Sequence, residues 1–183
     1  MQVIVLGGQS SRHYEWVREV REALEFAGLP VVLHDYAHWL NGEHEIDFEA
    51  ELEAFALVAS DIDDDYVIVA KSIGCVLTAV ALARGLIVPK ACLFLGLPFK
   101  TASQNKELPI GFAELPITIF AQNEKDPLGS FEEVEVFARP LVPELTVFAA
   151  LAGSTHDYAD FELIAALTLK LTKSLEPPTQ QDV

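Results

Sequence analysis

Short runs of consecutive apolar residues alternate along the chain with longer stretches in which apolar positions recur at helical spacing. The runs are Gln2 to Leu6, Val31 to His34, Tyr66 to Ala70, Ala91 to Leu95, Ile117 to Ala121 and Leu145 to Ala149. They are rich in β-branched and aromatic residues and too short for helices, so they predict strands buried on both faces. Between them, Tyr14 to Ala27 places Trp16, Val17, Val20, Leu24 and Ala27 on one stripe and stops at Gly28. Ile46 to Ser60 has the same character. Ile73 to Arg84 is almost wholly apolar and closes at Gly85, as expected of a helix pressed against a sheet. Phe131 to Ala138, just before Pro140, and Phe161 to Leu175, with Leu163, Ile164, Leu167 and Leu171 on one face, complete the set. Strands alternating with helices predict an α/β fold: a mostly parallel six-stranded sheet flanked by helices on both faces, in three layers. Pro98 to Pro116, rich in Gly, Pro, Asn and Gln, interrupts the alternation and is expected to be a loop or small cap bordering the site.

Composition narrows this picture. A chain of 183 residues with 51% hydrophobic and 22% charged positions can bury a sizeable core. One domain over residues 1–175 is expected, followed by an unstructured tail over 176–183 that carries two prolines and two glutamines. Asp and Glu total 28 against 12 Lys and Arg, for a formal charge of -16. A field of that sign repels phosphate backbones and anionic headgroups, so neither nucleic acid nor a membrane surface is an expected partner. No apolar stretch has the length of a membrane span. Met1 to Leu6 lacks the basic region of a secretion signal, and Cys75 and Cys92 are too few for a disulfide framework, so a cytoplasmic location is expected.

The candidate chemistry begins where the third apolar run meets the most apolar helix, at Ala70-Lys71-Ser72-Ile73-Gly74. A serine held on a sharp strand-to-helix turn needs small residues two before and two after it, and Ala70 and Gly74 fill those places. Ala70 stands where the strict G-x-S-x-G pattern has glycine. The plain alternative is that Ser72 caps the helix. Two later loops add to the pattern. After Ile117 to Ala121 comes Gln122-Asn-Glu-Lys-Asp126-Pro, and after Leu145 to Ala149 comes Gly153-Ser-Thr-His156-Asp.

The order Ser72, Asp126, His156, each in a loop following a strand, resembles the α/β-hydrolase superfamily: the first loop is similar to its N-x-x-D-P acid turn, the second to its G-x-x-H-D histidine loop. The resemblance spans about residues 2–175 and is to the compact, lidless branch, some members of which carry an x-K-S-x-G elbow like that around Lys71. It implies Ser72 as nucleophile, His156 as general base and Asp126 as the acid that orients it, with Asp157 and Glu124 as competitors for that last role. It implies oxyanion donors at the backbone N–H of Ile73 and, in the Gly7-Gly8 loop after the first strand, of Gln9 to within one residue. Gly8, His13 and Lys71 are expected to line the substrate site. The implied reaction is cleavage of a small carboxylester or thioester through an acyl-enzyme, with a small-molecule acyl substrate and no metal or organic cofactor.

Competing readings come from the same residues. Gly7-Gly8 after a first strand also opens nucleotide-binding doubly wound domains, although neither G-x-G-x-x-G nor a P-loop is present. A triad can also be retained in a catalytically silent binding module. His34, His38 and His44, with Asp35 and Asp47, match no compact metal-ligand spacing and are read as a polar loop. Cys75 and Cys92 are expected to be buried thiols, and Asp61 to Asp65 a solvated turn.

Overall fold

A computed structural model describes residues 1–41 and 45–176. Its core is one six-stranded sheet in the order β2-β1-β3-β4-β5-β6, with every adjacent pair parallel. The strands are β1 (Gln2–Leu6), β2 (Val31–His34), β3 (Tyr66–Lys71), β4 (Ala91–Leu95), β5 (Ile117–Asn123) and β6 (Val147–Leu151). The long helices are α1 (His13–Phe26), α3 (Phe48–Ser60), α4 (Ile73–Ala83), α7 (Phe131–Ala138) and α8 (Phe161–Ser174), and the short ones α2 (Ala37–Asn41), α5 (Phe99–Gln104) and α6 (Leu108–Ala113). α1 packs with α8, and α4 with α3 and α6, which gives the three-layer α/β/α architecture expected from the alternation.

The middle strands are continuous apolar runs because both their faces are covered. Every residue of β3 and β4 is buried, and α4 is buried along ten of its residues. The edge strand β6 is half exposed. It also begins two residues later than its apolar run suggests, since Thr146 N–H bonds back to the Pro143 carbonyl in a turn that consumes Leu145.

The stretch from Pro98 to Pro116 corrects the sequence reading. It is not a loop but carries α5 and α6, and α6 packs on α4. None of its residues lines the cleft of Lys71, His13 and His156 described below. α2 is a further helix that the pattern did not announce. The proposed tail lies outside the described residues from 177 onward. Among the described residues, no helix is long and apolar enough to cross a membrane.

The strand order places the functional end. β1 sends β2 to one side and β3 to the other, so the loops leaving the carboxyl ends of β1 and β3 diverge and open a crevice there. The Gly7-Gly8 loop follows β1, Ser72 follows β3, Asp126 follows β5 and His156 follows β6. Four loops thus converge on one edge of the sheet.

Candidate active site

Ser72 joins β3 to α4 with φ 56 and ψ -120, a left-handed conformation that a non-glycine residue adopts only under constraint. Its side chain makes no capping hydrogen bond to α4, so the helix-cap reading fails. The turn is held by Ser72 N–H donating to the Leu95 carbonyl at 2.9 Å and by Cys75 N–H donating to the Ser72 carbonyl at 3.0 Å. The small flanking residues have a visible cause. A methyl group on Gly74 would stand 2.8 Å from the Gly7 carbonyl oxygen and 3.0 Å from Leu6 Cβ. Ala70 is fully buried within β3, where its methyl is accommodated. Gly74→Ala is therefore expected to force α4 and the Gly7-Gly8 loop apart and to destabilise the fold by roughly 1–3 kcal/mol, measured by urea unfolding.

The acid and base meet as the two later loops suggest. His156 Nδ1 lies 2.8 Å from Asp126 Oδ2 and 3.0 Å from Oδ1, and the Asp126 side chain is 0% exposed. Glu124 and Asp157, the competing carboxylates, are exposed, and neither bonds the imidazole among the described residues. An ionised carboxylate only accepts hydrogen bonds, so the imidazole proton sits on Nδ1 and Nε2 presents its lone pair. That Nε2 is buried and without a partner. The link from Ser72 Oγ to Nε2 is not closed as a hydrogen bond, and such contacts often tighten only when substrate is present.

Tyr158 is the residue that sequence reasoning missed. Its hydroxyl donates to Asp126 Oδ2 at 2.7 Å and accepts from Asn123 N–H at 2.9 Å, while Leu128 N–H donates to Asp126 Oδ1 at 2.8 Å. The Asp126 carboxylate is thereby held by two groups besides the imidazole, and one of them, Tyr158, is itself anchored by Asn123 N–H. Tyr158 itself sits at φ 50, and its carbonyl accepts from Trp16 Nε1 at 2.8 Å, which ties the histidine loop to α1. Burial raises the Tyr158 phenol far above its usual range, so it stays a donor. Tyr158→Phe takes one of the two donors from Asp126 Oδ2 and strands Asn123 N–H. We expect kcat/KM to fall about tenfold, the equivalent of losing one hydrogen bond to a charged group, with a matching drop in unfolding free energy.

The loop after β1 is supported from beneath. The Gly7 carbonyl accepts from the Tyr36 hydroxyl at 3.1 Å, and the Gln9 carbonyl accepts from His38 Nε2 at 2.5 Å and Trp39 Nε1 at 3.1 Å. Because a trans peptide is planar, anchoring the Gly7 carbonyl turns the Gly8 N–H the opposite way. Among the described residues, the N–H groups of Gly8, Gln9 and Ile73 donate to no acceptor, which leaves them available to a ligand oxygen. The point that a methyl on Gly8 would occupy lies 3.2 Å from Ser72 Cβ and 2.4 Å from His13 Nδ1. Gly8, His13 and Ser72 are thus neighbours.

Lys71 is not solvated. It is 1% exposed, with Nζ 2.8 Å from His13 Nε2 and 5.2 Å from the centre of the Trp16 ring. Lys71, His13 and His156 line one cleft of about 350 Å³ together with Ser10, Arg12 and Trp16. Ser72, next to Lys71 in the chain, lines neither this cleft nor a second cavity of about 480 Å³ between the histidine loop and α8, which also leaves out His156.

The remaining candidates have structural duties. His34 Nε2 faces Glu51 at 3.2 Å, His38 supports Gln9, Asp35 pairs with Arg18 at 3.0 Å and Asp47 caps α3. His44 lies outside the described residues. No group of three or more His, Cys, Asp and Glu side chains among those described is placed to hold a metal ion. Cys75 and Cys92 are fully buried, and burial pushes both thiols well above their usual range.

No protein-family model and no curated protein sequence matches the chain. Solved structures do. An alpha-beta serine hydrolase homologue from Coxiella burnetii superposes with a TM-score of 0.70 at 17% identity, over 96% of this chain and 85% of that one. The mouse alpha/beta hydrolase domain-containing protein 10 superposes with a TM-score of 0.73 at 11% identity, over 96% and 90% of the two chains.

Proposed function

We propose, from the α/β-hydrolase fold that this chain has, that it is a serine hydrolase cleaving a small carboxylester or thioester through Ser72, His156 and Asp126. The observation that carries the reading is the buried Asp126 carboxylate against His156 Nδ1, on the same sheet edge as a serine held at positive φ. Ser72 Oγ attacks the acyl carbon as its proton passes to His156 Nε2. The carbonyl π electrons move onto oxygen, which takes hydrogen bonds from the N–H of Ile73 and of Gln9 or its neighbour Gly8. The intermediate collapses, the alcohol or thiol leaves with the proton from Nε2, and the acyl group stays on Ser72. Water, deprotonated by the same nitrogen, then releases the acid and restores the serine.

The open gap between Ser72 Oγ and His156 Nε2 is what favours the second reading, a hydrolase-like binding module with a misaligned triad. Gly7 and Gly8 favour nucleotide binding less, since the rings of Trp39 and His13 already crowd their free faces. Hydrolysis of p-nitrophenyl acetate and of an acetyl thioester separates the readings. The proposal expects an initial burst of nitrophenol, one per protein chain, that Ser72→Ala lacks. Equal rates for wild type and Ser72→Ala on both substrates contradict it.

A further inference from the structure

In a chain of formal charge -16, the last residue before the nucleophile is a lysine with no contact to solvent to speak of. Lys71 makes no ion pair among the described residues, and its Nζ spends one of three N–H donors on His13 Nε2. His13 does not neutralise it: burial, followed by the Lys71 charge itself, pushes the imidazole down to about 4, so it is uncharged at neutral pH. Burial also lowers Lys71, to about 8, with Asp157 and Asp126 acting in the other direction at longer range, and the ammonium form still predominates at pH 7. A buried ammonium without an anion is among the costliest arrangements in a protein interior, and it persists where an anion is to be received.

The cleft it faces also has acidic residues, Glu15, Glu19 and Asp157. All three are exposed and screened by water, whereas Lys71 acts through the low-dielectric interior, so at short range the cation prevails. We propose that Lys71, steadied by His13, is an anion subsite beside Ser72, and that the substrate is an ester or thioester of a short chain bearing a carboxylate. The two unused N–H donors of Lys71 take the carboxylate while the carbonyl lies against Ser72. A cleft of about 350 Å³ suits a molecule of that size. The overall negative field excludes anions that find no such partner.

This inference rests on the serine-hydrolase reading, and its test keeps the two apart. The carboxylate can sit on either side of the scissile bond, so two ester pairs are needed. p-Nitrophenyl hydrogen glutarate is compared with p-nitrophenyl pentanoate, and 4-acetoxybenzoate with 4-methylphenyl acetate. Each kcat/KM is divided by the spontaneous hydrolysis rate of that ester. Wild type is expected to favour the anionic member of at least one pair tenfold or more. Lys71→Met and Lys71→Gln should both remove that preference, and KM for the anionic ester should rise more than kcat falls. Wild-type protein that turns over the neutral esters and shows no preference in either pair overturns the subsite and leaves the hydrolase reading standing. A preference that survives both substitutions overturns it too. If no ester is turned over and Ser72 takes up no fluorophosphonate, both readings fall together.

Discussion

Replacing His156 by alanine is expected to lower kcat for p-nitrophenyl acetate by about 10⁴- to 10⁶-fold, the range that loss of a triad member costs. The size follows from how little else is placed to take a proton from Ser72. The neighbouring carboxylate, Asp126, is sealed behind the imidazole, and Tyr158 and Leu128 N–H occupy it from the other side. Lys71 is engaged with His13, and Cys75 points its thiol at the Ala70 carbonyl. Remaining catalysis would come from substrate binding and the backbone N–H donors alone. His156 is partly exposed and packs edge-on against Tyr158, so truncation should leave the fold intact by circular dichroism. A loss smaller than tenfold in stopped-flow hydrolysis would remove His156 from the mechanism.

Asp126→Asn is expected to cost about 10⁴-fold in kcat while keeping the shape of the site. The two donors that hold the carboxylate decide which way the amide turns. Leu128 N–H donates to Oδ1, and the amide oxygen must stay there because an NH₂ group would meet another N–H. The NH₂ group then replaces Oδ2, facing the Tyr158 hydroxyl and His156 Nδ1. To accept from it, Nδ1 must give up its proton, which moves to Nε2, where the lone pair is needed to deprotonate Ser72. The Tyr158 hydroxyl also loses its acceptor, so unfolding free energy should fall by roughly 1–3 kcal/mol. Activity retained within tenfold, with the asparagine verified by mass spectrometry, would contradict the assignment of Asp126.

Much of this was readable from the chain because its causes are local. The middle strands are unbroken apolar runs, and Gly28 and Gly85, at positive φ, end α1 and α4 where the helical period stops. Ser72, Asp126 and His156 stood out through short loop motifs at the ends of strands. Elements whose stability comes from packing were not readable. α5 and α6 are six residues each, have no side-chain cap and sit among residues that usually signal loops; their helical form depends on contacts with α7 and α4. β6 slipped by two residues because none of the residues of this edge strand is fully buried, so its apolar run has no sharp start. Tyr158 carries no motif, and its bond to Asp126 exists only once loops 32 residues apart are brought together. The burial of Lys71 was equally hidden, since a lysine in a sequence is ordinarily a surface residue, and only the approach of α1 covers this one with His13 and Trp16.

Covalent labelling with a fluorophosphonate, followed by peptide mass spectrometry, tests Ser72 as the nucleophile most directly. One phosphonyl group per chain is expected, on the peptide containing Ser72, with labelling abolished in Ser72→Ala and slowed by orders of magnitude in His156→Ala. Folded wild-type protein that remains unlabelled, or that carries the group on another residue while Ser72 is untouched, would contradict it.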